Sequence, residues 1–130
     1  MRYLLDTNAI IALLKSQPRL LARLHRHRPQ DIGLPVIVLH ELLYGAYKSQ
    51  RVVENLARVD ALQFEVLDFD QEDARRAAEI RAVLGAAGAQ IGSYDVLIAG
   101  QALERGLILV TRNVGEFSRV EGLQVEDWQN

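Results

Sequence analysis

The stretch Gly106-Leu107-Ile108-Leu109-Val110-Thr111-Arg112-Asn113 decides the fold. Four apolar residues in succession, with no position left to face water, predict a strand over 107–110 that is covered on both faces. Upstream, Gly106 stops a helix that ends at Glu104 and is entered from the loop Ile91-Gly92-Ser93-Tyr94-Asp95. Downstream, Leu123 to Glu126 reads as one more short strand. At the other end of the chain, Arg2-Tyr3-Leu4-Leu5 is a short apolar strand running straight into Asp6, after which Thr7 or Asn8 is placed to cap a helix over Ala9–Lys15. Pro18 suits the first turn of a second helix reaching about Arg26, with Leu20, Leu21 and Leu24 on one face. Then follow a strand over 31–36, a helix over Ile37–Tyr47 with Leu39, Leu42 and Leu43 on one side, a helix over Val52–Leu62 and a strand over Glu65–Leu67. Asp70 caps a long helix through Leu84, in which Ala74, Ala77, Ala78 and Ile80 are expected to pack, and Gly85-Ala86-Ala87-Gly88 ends it. Strands alternating with helices predict an α/β fold with a mostly parallel central sheet.

With 130 residues, 49% of them hydrophobic and 25% charged, the chain suits one domain spanning 1–130. Absence of cysteine excludes disulfides, thiolate zinc sites and cysteine nucleophiles. The apolar run at the start is too short for a signal peptide and meets an acid at once, and no stretch approaches the roughly 20 apolar residues of a membrane span. The expectation is a cytoplasmic protein with no membrane partner. A net charge of −2 speaks against a large basic face. One segment holds no acid, however: Lys15, Arg19, Arg23, Arg26 and Arg28, with His25 and His27. It reads either as a phosphate-tracking surface or as a solvated helix face.

Sites in parallel sheets form at the carboxyl ends of strands. Asp6 stands just past the first strand, Thr111 to Asn113 just past the late one, and Asp95 opens a helix, so one crevice is compatible with all of them. Magnesium takes oxygen ligands and keeps several waters, so a few carboxylates suffice. Phosphodiester cleavage uses such ions to activate water and offset charge on the scissile phosphate. Each acid also has a plain structural reading: Asp6 or Asp95 as a helix cap, Glu41 as a solvent-facing helix residue. Asp68, Asp70, Glu72 and Asp73 read as cap and dipole residues of the helix that follows them. The acids alone leave function open.

Four segments in order narrow it: Leu4-Leu5-Asp6-Thr7-Asn8, Val38-Leu39-His40-Glu41-Leu42-Leu43-Tyr44-Gly45-Ala46, Ile91-Gly92-Ser93-Tyr94-Asp95-Val96-Leu97-Ile98-Ala99, and Leu109-Val110-Thr111-Arg112-Asn113-Val114-Gly115-Glu116-Phe117. Together with the ending Val120 to Trp128, they resemble the PIN-domain nucleases and, within them, the VapC toxins of bacterial toxin–antitoxin pairs. The resemblance implies a PIN-like three-layer α/β/α domain. It implies Asp6, Glu41 and Asp95 as catalytic, metal-holding acids and Mg2+ as the cofactor, with Mn2+ able to substitute. Many members carry a fourth acid where this chain has Asn113, a neutral ligand, which favours one tightly held ion over two. Glu116, on the same helical turn, either supplies the missing charge, directly or through water, or is an exposed helix residue. Thr111 suits a hydrogen bond to an acid or to a metal-bound water. Arg112 faces phosphate or merely solvent, and Tyr94 is a candidate ring for a substrate base, with packing as its alternative. The implied activity is endoribonucleolytic cleavage that inhibits translation, directed at the anticodon loop of initiator tRNA. The implied partners are a VapB-type antitoxin whose tail lies in the acidic groove, a second copy in a homodimer, and operator DNA reached only through the antitoxin. Two alternatives remain at this point. A catalytically silent PIN-like binding module fits less well with three intact acids. A phosphoacceptor signalling domain wants paired acids near the first strand and a late lysine, where this chain has a single Asp6 and Thr111-Arg112-Asn113.

Overall fold

Tyr3–Leu5 (β1), Ile32–Pro35 (β2), Glu65–Leu67 (β3), Ile108–Val110 (β4) and Val125–Glu126 (β5) form one sheet in the order β3-β2-β1-β4-β5 in a computed structural model describing residues 1–130. Every pairing is parallel, so the sheet is wholly rather than mostly so. β1 is flanked on both sides and all three of its residues are buried. Leu109 and Val110 of β4 are buried too, as their unbroken apolar run requires.

Seven helices complete the fold: Thr7–Leu14 (α1), Pro18–Leu24 (α2), Val36–Tyr47 (α3), Val52–Asp60 (α4), Gln71–Ala86 (α5), Ser93–Glu104 (α6) and Val114–Phe117 (α7). The arrangement is the three-layer α/β/α one expected. No helix is long and apolar enough to cross a membrane. The core joins Leu4, Leu5, Ile10, Leu34, Ile98, Leu109 and Phe117 to Trp128 near the C terminus. The Trp128 ring meets Tyr3 edge-on at 5.1 Å and stacks on His27 at 5.2 Å, while its Nε1 donates to Glu126 at 2.9 Å.

Several elements depart from the sequence expectation. The cap of α1 is Asp6 itself, whose Oδ1 accepts the Ala9 N–H at 2.8 Å, so the helix begins at Thr7 and neither Thr7 nor Asn8 caps it. A short 3-10 turn at Pro29–Asp31 delays β2 by a residue. α6 starts at Ser93 with Gly92 as its N-cap, which puts Asp95 inside the first turn instead of ahead of it. The buried positions of α5 are Asp73, Ala77, Ile80 and Leu84; Ala74 and Ala78 face solvent.

That rotation of α5 follows from its contact with α6. Gly100 lies against Ala77 so closely that a Cβ on it would stand 2.6 Å from the Ala77 Cβ. One turn away, the Asp73 carboxylate accepts from Arg105 at 2.8 Å and from the Gln101 amide at 3.1 Å, and Arg105 also donates to the Asp68 carbonyl at 2.8 Å. Burial alone would raise the Asp73 pKa; hydrogen bonds from Arg105, the Asp70 backbone and Gln101 outweigh it and hold the carboxyl below its ordinary value. Asp73, expected only as a cap-region or dipole acid, is therefore both the capping-box partner of Asp70 and a buried tie to α6.

Candidate active site

β1 and β4 are neighbours in register, Leu5 opposite Val110, so the residues that leave them meet: Asp6 and Thr111. The Thr111 hydroxyl donates to Asp6 Oδ2 and accepts the Asn113 N–H at 3.0 Å. Both residues are buried, at 4% and 1% exposure. Asp6 thus serves as helix cap and as an acid of the crevice at once. Burial pushes its pKa up, the hydrogen bonds from Thr111 and Ala9 pull it down, and the charges of Glu41 and Asp127 add to the rise, leaving it above the ordinary value.

Glu41 comes from the middle of α3 and is partly buried. Its Oε1 accepts the Thr7 hydroxyl at 2.9 Å across the α1–α3 contact. Asp95 comes from the first turn of α6. Its carboxylate folds back over Gly92, where a Cβ would stand 2.8 Å from Asp95 Oδ2. Burial, and then the charges of Glu116, Asp6 and Glu41 in that order, push its pKa up to about 6. The three separated acids are therefore electrostatic neighbours, and Glu116 belongs with them. Glu116 Oε1 accepts the Gly92 N–H at 2.9 Å and Oε2 accepts the Asn113 side-chain amide, so this residue spans from the end of β4 to the start of α6.

Asp127, just past β5, adds its charge to Asp6 and escaped the sequence reading; 121 residues separate the two, and no local motif marks it. Thr7, read only as a possible cap, is another residue with a larger part than expected. Arg112 is exposed. Tyr94 is 47% exposed, with its ring edge-on to His40 at 5.7 Å, so it is half packed and half open. In the acid-free segment, Arg23 pairs with Glu126 at 3.1 Å and Arg28 with Asp31 at 3.4 Å, while Lys15, Arg19 and Arg26 are exposed.

None of Asp6, Glu41, Asp95 or Glu116 forms an ion pair with a lysine or arginine. No three acidic or histidine side chains close on a single ion position. Unneutralised, all-oxygen and mutually repelling carboxylates fit a hydrated hard dication, which takes one or two carboxylates directly and keeps much of its water.

Residues 3–123 match the PIN domain family. The chain is 39% identical over 130 residues to the tRNA(fMet)-specific endonuclease VapC of Salmonella typhimurium, covering 98% of each chain. Among solved structures, the DNA-bound VapBC of Salmonella typhimurium contains a chain superposing with a TM-score of 0.93 at 40% identity, over 98% of both chains. VapBC2 of Rickettsia felis, bound to a fragment of promoter DNA, gives 0.91 at 32% identity, over 98% of this chain and 99% of that one.

Proposed function

Because the chain belongs to the PIN-domain family, and within it to the VapC ribonucleases, we propose that it is a divalent-metal-dependent endoribonuclease acting as the toxin of a toxin–antitoxin pair. The observation that carries this reading is that the charges of Asp6 and Glu41 both act on Asp95, and that of Glu41 on Asp6, at the carboxyl edge of a parallel sheet with no base pairing any of the three.

In this reading Asp6, Asp95 and Glu41 hold Mg2+, with Mn2+ able to substitute. Asn113 brings no charge and spends its amide on Glu116, which suits one tightly held ion. When bound, the ion offsets charge on the scissile phosphate and makes water nucleophilic near neutral pH. The chain's own groups do the rest. Thr111 and the Ala9 N–H lock Asp6 in place. Asp95, on which no protein donor falls, is free to accept a hydrogen bond from the attacking water. Tyr94 offers half a ring face to an unpaired base beside Asp95, and Arg112 offers a guanidinium to phosphate.

The relative named as specific for tRNA(fMet) supports initiator tRNA, cut in its anticodon loop, as the substrate. The solved VapBC complexes support a VapB-type antitoxin as partner, with operator DNA reached through that antitoxin. A homodimer working in the cytoplasm completes the proposal. The test is incubation of the purified chain with initiator tRNA and Mg2+ or Mn2+. Cleavage in the anticodon loop that stops in EDTA is expected. Cleavage persisting in EDTA overturns the metal mechanism, and intact RNA under all conditions overturns the nuclease reading.

A further inference from the structure

We propose that Thr7 is the positioning residue of Glu41, setting where that carboxylate stands relative to Asp6. The proposal rests on Glu41 being one of the metal-holding acids.

A glutamate in the middle of a helix has three rotatable bonds, and α3 alone leaves its carboxylate several places to go. The single hydrogen bond on that carboxylate is the one from Thr7 Oγ1 to Oε1, at 2.9 Å. Thr7 is the first residue of α1, and its β-branched side chain has few χ1 choices in a helix. The helix therefore limits its hydroxyl to about two directions, and the bond to Glu41 shows the one taken. That helix is in turn anchored by Asp6, whose carboxylate caps it through Ala9. Two consecutive residues thus do complementary work: Asp6 is one acid, and Thr7 places another. Because Asp6 already caps α1, the Thr7 hydroxyl is not needed for capping, and its bond to a charged oxygen is of the stronger kind. It occupies Oε1 and leaves Oε2 without a protein hydrogen bond. Thr111 stands in the same relation to Asp6. Two of the three acids therefore have one threonine hydroxyl each.

The test is a double-mutant cycle on the full chain, with Thr7→Val, Glu41→Gln and the pair, plus Thr7→Ser. Each protein is read by Mn2+ titration calorimetry and by kcat and KM for RNA cleavage. Loss of such an outer hydrogen bond weakens metal affinity or activity about 10–100-fold. The expected result is a loss of that size for Thr7→Val in Mn2+ affinity and kcat, with KM for RNA little changed and Thr7→Ser close to wild type. In the Glu41→Gln background, Thr7→Val is expected to add nothing. Unchanged Mn2+ affinity in Thr7→Val, or a full loss persisting in the Glu41→Gln background, overturns the proposal. A wild-type chain that binds Mn2+ yet leaves RNA intact overturns the nuclease reading instead, and the Mn2+ cycle still decides the role of Thr7.

Discussion

Glu116 is the strongest charge acting on Asp95: after burial, it does most to hold the Asp95 carboxyl up at about 6. It is kept there by the Gly92 N–H, which it accepts at 2.9 Å, three residues ahead of Asp95. A ligand carboxyl must lose its proton before it binds a cation. Mn2+ affinity is therefore expected to rise as pH climbs from 5 to 7.5, with proton release detectable by calorimetry in buffers of different ionisation heat. Glu116→Gln removes a charge that raises the Asp95 pKa, so it is expected to shift the midpoint of that profile to lower pH. A midpoint that stays put in Glu116→Gln refutes the coupling.

Asp6→Asn separates the two duties of Asp6. Asparagine caps a helix about as well as aspartate does, and replacing a buried carboxyl whose pKa is raised does not weaken the fold. Tm is expected to hold or rise while cleavage falls by more than the roughly 10–100-fold that follows loss of an outer-shell partner of a metal ligand. Asp6→Ala loses the cap as well, at about 1 kcal/mol. Thermal melts beside cleavage rates on the two variants check this.

One half of that dual role, the place of Asp6 at the sheet edge, was legible in the sequence; its capping of α1 was not the cap expected. An acid straight after an apolar strand marks the sheet edge, and the unbroken run 107–110 marks a strand buried on both faces, so pattern was compatible with one crevice for Asp6 and Thr111, and the pairing of β1 with β4 makes them neighbours. What pattern misses is which donor reaches which acceptor. Asp6 competed successfully with Thr7 and Asn8 for the cap, and all three residue types are good caps. Gly92 gives no capping signal because it has no side chain, so the start of α6 fell on the wrong side of Asp95. Asp73 was correctly read as a cap-region acid, but its burial depends on Arg105, 32 residues on, and that pairing turned Ala74 and Ala78 outward. Local sequence carries no trace of a partner so distant.

Arg105→Ala removes the charge partner of a buried carboxylate that keeps its hydrogen bonds from Gln101 and the Asp70 N–H, and because Arg105 is 29% exposed the cost is expected at about 1–3 kcal/mol, below that of a fully buried pair. Urea unfolding at pH 7 measures it. The folded-state pKa of Asp73 is depressed, so its contribution is present above the unfolded value near 3.8 and is lost as pH falls through the lower, folded one. The gap between wild type and Arg105→Ala is accordingly expected to close in acid.

At Gly100 two effects oppose each other. Alanine is the better helix former by about 1 kcal/mol. Its Cβ would lie 2.6 Å from the Ala77 Cβ and 2.7 Å from the Ala77 Cα, and overpacking of that kind costs about 1–3 kcal/mol. Gly100→Ala is expected to lower Tm, because backbone cannot yield as a side-chain end can. It is also expected to lower kcat, since α6 carries Asp95. A raised Tm would show that the two helices part easily.

β1 is the first strand made, yet it is completed by β4, which begins at Ile108, and the hydroxyl that holds Asp6 belongs to Thr111. Until β4 has left the ribosome, the Asp6 carboxylate has no strand beside it on that side and no Thr111 to fix it. A nascent chain of this topology cannot assemble the Asp6–Thr111 edge of the crevice until the residues of β4 have been added.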